Sequence, residues 1–157
     1  MVWELLASTK LTSPSDTIDS GTITAKKFLY VEMFGISTGL LSTNMRFNGS
    51  SASDYAWRCQ RDGGTDDVAA SQTEIAFGGG ANVFLYCYIF NNADEEKLLV
   101  GEKMSTVSGA GAGNAPDRRE QVGKWANTSD SITSIQALNA AGGDYESGSE
   151  ITVYGTD

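Results

Sequence analysis

Apolar and polar residues alternate along most of this chain with a period of two, the pattern of strands that bury one face. "VWELLA" (2–7) opens the series, and "DTIDSGTIT" (16–24) follows a turn at Thr12–Ser15. "KKFLYVEMFGI" (26–36) sets Leu29, Val31 and Met33 on one face and Phe28, Tyr30 and Phe34 on the other. Apolar residues on both faces predict a strand covered on both sides. "TNMRFNG" (43–49) ends in Asn48-Gly49, a turn signal, and "SDYAWRCQR" (53–61) is closed by Asp62-Gly63-Gly64. Residues 65–82 are polar and Gly-rich, and no strand is read there. "NVFLYCYIFNN" (82–92) is the strongest strand signal. "EKLLVGEKMST" (96–106) is the next, with Gly101 read as a bulge.

A loop of small residues, "SGAGAGNAP" (108–116), separates these from two further strands within 119–141, arranged around a turn at Asn127–Asp130. The final "SGSEITVYGTD" alternates again, with Ile151 and Val153 on one side and Thr152 and Tyr154 on the other. Helix is the alternative over 93–104, where Glu95, Glu96 and Lys97 are helix formers. No three-turn apolar stripe follows and Gly101 interrupts the run, so strand is preferred. The end of "TSIQALNAAGG" (133–143) has room for one helical turn.

About ten short strands and no convincing helix predict an all-β protein. The expected architecture is an antiparallel β-sandwich of jelly-roll type with about eight to ten short strands, in a single domain over 1–157. Both termini are expected inside sheets, which protects edges. A chain of 157 residues buries about 70% of its unfolded surface and has room for a real core. The 18 Gly, with many Ser, Thr, Asn and Asp, then read as turns rather than disorder.

Charge and composition narrow the chemistry. The net charge of −9 opposes binding to phosphate backbones, so no nucleic-acid partner is expected. The chain has no His, which excludes a Ser-His-Asp or Cys-His site built within it. The opening residues show no basic segment followed by an apolar run, so no signal peptide is expected. The longest apolar run, 83–90, is too short for a helical membrane span. Folding in the cytosol then predicts that Cys59 and Cys87 stay reduced as small buried side chains, with a disulfide as the alternative.

Candidate sites are few. Asp62, Asp66 and Asp67 cluster in "RDGGTDD" and supply the oxygen ligands calcium favours, but the twelve-residue calcium loop is not matched and a solvated turn is preferred. Glu32 lies inside a strand; an edge position, or pairing with Lys26 or Arg46, is expected over a role as a buried acid. "GAGAG" (109–113) lacks the strand–loop–helix setting of a phosphate cradle. Trp57 and Trp125, with Tyr55, Tyr145 and Tyr154, are candidates for a sugar-stacking platform, against which stands packing of one tryptophan in the core. No catalytic, cofactor-binding or metal-binding residue is assigned, and no cofactor is expected.

"VWELLASTKLTSPSDTIDSGTITAKKFLYVEM" and "EQVGKWANTSDSITSIQALNAAGGDYESGSEITVYG", with part of the middle through "MRFNG" and "YAWR", resemble small virion proteins of tailed bacteriophages, often of aquatic bacteria. The resemblance implies a jelly-roll protein of the capsid exterior or of a tail fibre, and it carries no catalytic residue. The function it implies is a non-enzymatic capsid decoration, or cement, protein. Such a protein binds the major capsid protein and its own copies, as a homotrimer on the outside of the virion. The alternative is a tail-fibre tip that recognises a host surface glycan or protein.

Overall fold

The computed structural model describes residues 2–106 and 111–157. All regular structure among them is strand, and no helix is long and apolar enough to cross a membrane. In chain order the strands are β1 (Glu4–Lys10), β2 (Thr17–Asp19), β3 (Phe28–Gly35), β4 (Leu41–Phe47), β5 (Tyr55–Arg61) and β6 (Asp66–Gln72). They continue with β7 (Ile75–Gly80), β8 (Val83–Phe90), β9 (Lys97–Ser105), β10 (Asp117–Trp125), β11 (Ile135–Asn139) and β12 (Glu150–Thr156). They form an antiparallel β-sandwich of an eight-stranded sheet, β1-β12-β3-β8-β9-β10-β5-β6, and a four-stranded sheet, β2-β11-β4-β7. Apart from the steps β5–β6, β8–β9 and β9–β10, the chain changes sheet at every step. The pairs β5–β6 and β9–β10 widen the large sheet to about 34 Å, seven spacings of about 4.8 Å.

The core between the sheets follows the alternation. Leu29, Val31 and Met33 of β3, Val83, Leu85, Cys87 and Ile89 of β8, and Ile151 and Val153 of β12 point inward. From the small sheet come Ile18, Leu41, Met45, Phe47, Ile75, Phe77 and Ala137. The last strand is therefore interior, paired with β1 on one side and β3 on the other. The second face of β3 is not covered by a further layer: Phe28, Tyr30 and Glu32 are half-buried by their neighbours and Phe34 is exposed.

The turn signals sit where the chain reverses. Asn48-Gly49 and Asp62-Gly63 all have positive φ, and each turn is closed by a backbone bond, Ser50 N–H to Phe47 O and Gly64 N–H to Arg61 O. The second joins the hairpin β5–β6; the first carries the chain from the small sheet to the large one. Two strands lie in the stretch read as strandless. β6 is the outer edge of the large sheet and is exposed on both faces, so it shows no apolar alternation. β7 ends in three glycines, among them Gly78 at φ 77° beside a register shift in β4–β7. Gly101 is not a bulge, because both registers of β9 run through it unbroken. Its role is close approach: a Cβ there would collide with the Tyr86 carbonyl and lie 2.6 Å from Cys87 Cβ. The segment 93–104 is turn and strand rather than helix, and 135–141 is β11 followed by a turn.

Candidate functional site

The sugar-stacking candidates do not assemble. Tyr55 and Trp125 stack in the core with centroids 6.1 Å apart and planes at 16°. The Tyr55 hydroxyl accepts from Phe47 N–H at 3.0 Å, and the Trp125 indole donates to Asp54 at 2.9 Å. Tyr145 is buried, with its hydroxyl on Thr43. Trp57 is half-buried on the inner side of β5, packed against the core. Tyr154 alone reaches the opposite, open side of the large sheet.

That open side holds a different cluster. Of the eleven exposed large apolar side chains among the described residues, nine lie there: Trp3, Leu5, Phe34, Val68, Phe84, Tyr88, Leu98, Val100 and Val122. Strand register explains the concentration. Leu5, Tyr154, Tyr30, Tyr88, Val100, Val122, Arg58 and Val68 occupy directly paired positions on successive strands, one transverse row across all eight. The adjacent row is polar and acidic: Thr152, Glu32, Tyr86, Glu102, Glu120, Gln60 and Asp66. An apolar band thus runs beside an acidic one across the face.

The aromatic part is centred on β12, β3 and β8. Tyr30 stacks on Tyr88 at 4.7 Å and on Tyr154 at 6.1 Å, and Phe28 faces Phe90 at 5.9 Å. The residues before β1 bring Trp3 past β12, so that its ring stands 6.3 Å from both Tyr30 and Tyr88, at 70° and 60° to them. Lys26 anchors this end by bonding Glu4 at 2.8 Å and Asp157 at 2.9 Å. Glu32 lies in an interior strand, not at an edge, and accepts from the Tyr30 hydroxyl at 2.9 Å. Neither expected cation reaches it: Lys26 holds the chain ends, and Arg46 pairs with Glu74 at 2.9 Å. Partial burial, then the bond to Glu32, pushes the Tyr30 hydroxyl up to about 12. A bond to Glu102, and then burial, raises Tyr86. Both phenols are therefore neutral donors at physiological pH.

The remaining candidates have structural partners. Asp62 accepts from the Arg118 backbone N–H at 2.9 Å, and Asp66 pairs with Arg58 at 2.8 Å. Asp67 faces the other side of the hairpin, paired with Cys59. No group of three or more carboxylate or thiol side chains among the described residues is placed to hold a metal ion. Cys59 and Cys87 are both free and buried. They share an inner row, Cys87–Gly101–Gln121–Cys59, which sets them three strand spacings, about 14 Å, apart. That is beyond the reach of a disulfide. Of the loop 108–116, residues 108–110 lie outside the described residues.

Two buried lysines on β9 carried no signal in the sequence. Lys103 donates to the Gly79 carbonyl and pairs with Asp117 at 3.1 Å, and Asp117 also receives Arg61 at 3.0 Å. Burial works against the Asp117 charge, but hydrogen bonding with Asp62, Lys103 and Arg61 outweighs it and holds the carboxyl at about 2. Lys97 donates to the carbonyls of Ala93, Glu95 and Asn127 and sits 5.6 Å from the Trp125 ring centre; burial lowers its pKa. Both lysines have their donors committed to internal acceptors, which is how a buried cation is tolerated. No protein-family model matches this chain, and no curated protein matches it in sequence.

Proposed function

We propose that this protein is a non-enzymatic structural protein of a bacteriophage virion, a decoration protein that binds the outside of the assembled head through the open face of its large sheet. One observation carries the reading: nine of the eleven exposed large apolar side chains among the described residues lie on that face, five of them in one row across the strands. Contiguous exposed apolar surface on a soluble protein marks an interaction site. Repeated weak contacts of this kind on a lattice gain strength through avidity. The strand winding supports the resemblance to small phage proteins. With β5–β6 and β9–β10 set aside as insertions that lengthen one sheet, the orders β1-β12-β3-β8 and β2-β11-β4-β7 match those expected of a jelly roll, which supports this reading. The acidity fits a site outside the packaged DNA. The expected partners are the major capsid protein and two further copies of this chain.

Cryo-electron microscopy of the native particle tests the proposal. Density for this chain on the head exterior in lattice amounts supports it; heads without such copies overturn it. Mass measurement in solution checks the trimer.

A second reading is favoured by the exposure of Trp3 and Tyr88, whose rings are suited to a host glycan or protein on a tail-fibre tip. A glycan array and a phage-adsorption competition assay decide it, and absence of both binding and competition removes it.

A further inference from the structure

Within the open face lies a cavity of about 300 Å³ lined by Trp3, Tyr30, Tyr88, Tyr154 and Glu32. From its geometry we infer that it is a binding site for an organic cation: a quaternary ammonium group, or the guanidinium or methylated ammonium of a partner side chain. The inference rests on neither functional reading above.

Four of the five lining residues present aromatic rings. Trp3 stands at 70° to Tyr30 and 60° to Tyr88, so its ring and theirs form walls facing different directions. Tyr154 continues the Tyr30 stack on the other side, with planes at 27°. A cation within about 6 Å of several ring faces is attracted by each ring quadrupole, and indole is the strongest partner. The fifth residue is a carboxylate. Among the described residues no Lys or Arg forms an ion pair with Glu32, whose bonded partner is the Tyr30 hydroxyl. A half-buried carboxylate without a cation, beside aromatic walls, favours positive charge in the cavity. Along the same row as Glu32, two strands away, Glu102 accepts from Tyr86 and adds negative charge, while Glu120 on the strand beyond is paired with Arg118 at 3.3 Å. A sugar can donate its hydroxyls to the same carboxylate, so a neutral glycoside is the competing probe.

The test is titration of the full-length protein followed by NMR. Choline chloride and tetramethylammonium chloride are compared with 3,3-dimethylbutan-1-ol, the uncharged carbon counterpart of choline, and with methyl glucoside. Saturable shifts at Trp3, Tyr30, Tyr88 and Tyr154 with the cations, and none with the two neutral probes, are expected. Trp3→Ala, near the chain end, should weaken binding roughly tenfold. Glu32→Gln keeps a partner for Tyr30 and should weaken it several-fold. Equal binding of the neutral alcohol, binding of the glucoside alone, or cation affinity unchanged in both variants overturns the inference. A peptide with one trimethyllysine and a peptide with one arginine separate the sources. Tighter binding of either peptide than of choline assigns the site to a partner's side chain, and the reverse assigns it to a small-molecule or headgroup cation.

Discussion

The two faces of the large sheet are built from the same strands, one residue out of step, and they have opposite fates. On β8, Val83, Leu85, Cys87 and Ile89 are buried beneath the small sheet, while Phe84 and Tyr88 are exposed on the other side. The inner face also holds charge: Lys103 is fully buried against Asp117. The outer face leaves large apolar groups in water. Each face thus contains what simple partition assigns to the other. The lesson is that partnering, rather than residue type, decides what a position tolerates. Buried Lys103 is stable because its donors are used, whereas exposed Tyr88 and Val100 have no covering layer among the described residues.

Breaking the inner ion pair should have the largest effect. Asp117→Asn leaves the Lys103 ammonium buried without its counter-charge, and a loss of about 3–5 kcal/mol is expected in urea denaturation. A double replacement, Lys103→Met with Asp117→Leu, should recover most of that loss, because a packed apolar pair removes both desolvation costs. If Asp117→Asn alone costs less than about 1 kcal/mol, the pair is wet and the contrast between the faces fails.

One pair of truncations compares the faces directly. Leu85→Ala, on the inner face of β8, should cost about 2–5 kcal/mol. Tyr88→Ala, three residues on and half exposed, should cost about 1 kcal/mol, the scale of its cross-strand ring contacts. Melting temperatures of the two variants check this, and equal shifts would mean that the outer aromatics are core.

Acid should act through the inner face. Asp117 has a folded pKa near 2, below the ordinary carboxyl value of 3.8. Its contribution is therefore fully present above about pH 4 and is lost as the pH falls through 2. It amounts to roughly 2 kcal/mol by linkage. Stability measured from pH 5 to pH 2 should fall more steeply in the wild type than in Asp117→Asn.

The smallest effect on stability should come from the outer aliphatic row. Val100→Thr with Val122→Thr should change stability by about 0.5 kcal/mol or less, since neither side chain has a layer above it. Under the proposed head-binding role the same double variant should bind phage heads more weakly in a sedimentation assay, and unchanged binding would count against that role.

Much of the fold could be read from local pattern. The run that became β12 alternates in sequence because one of its faces lies against the core. By contrast, β3 and β8 read as strands from continuous β-branched and aromatic residues and alternate only in burial, and β9 buries Lys97 and Lys103 while exposing Leu98 and Val100. Asn48-Gly49 and Asp62-Gly63 were readable as turns because few other residue pairs accept positive φ at both positions. β6 was not readable, since an edge strand exposed on both faces has no reason to alternate. β7 was masked by Gly78–Gly80, where the constraint is close approach to Arg119, Leu41 and Ser105 from other strands. Lys97 looked like a helix former because its three carbonyl acceptors come from two separate loops. The aromatic site was half readable: Tyr30 and Tyr88 each sit opposite in phase to buried residues on their own strands. Of the residues weighed for a platform, Trp125, Tyr55 and Tyr145 are buried and Trp57 packs against the core, as the packing alternative expects, and Tyr154 alone faces outward; inward and outward phases look alike when both carry aromatic rings.

The sequence by itself determined that this chain is all-β, where most strands begin and end, and which residues share a side of each strand. These follow from backbone sterics and from the two-residue repeat of the pleat, which act over a few residues. Only the tertiary structure decided that β12, β3 and β8 are neighbours, that Tyr154, Tyr30 and Tyr88 therefore stack, and that Trp3 closes over them beside Glu32. Strand order is fixed by which set of long-range pairings buries the whole core at once. No segment carries that information alone, because the pairing of residue 30 with residues 88 and 154 is worth its loop-closure entropy only when every other strand is also in place.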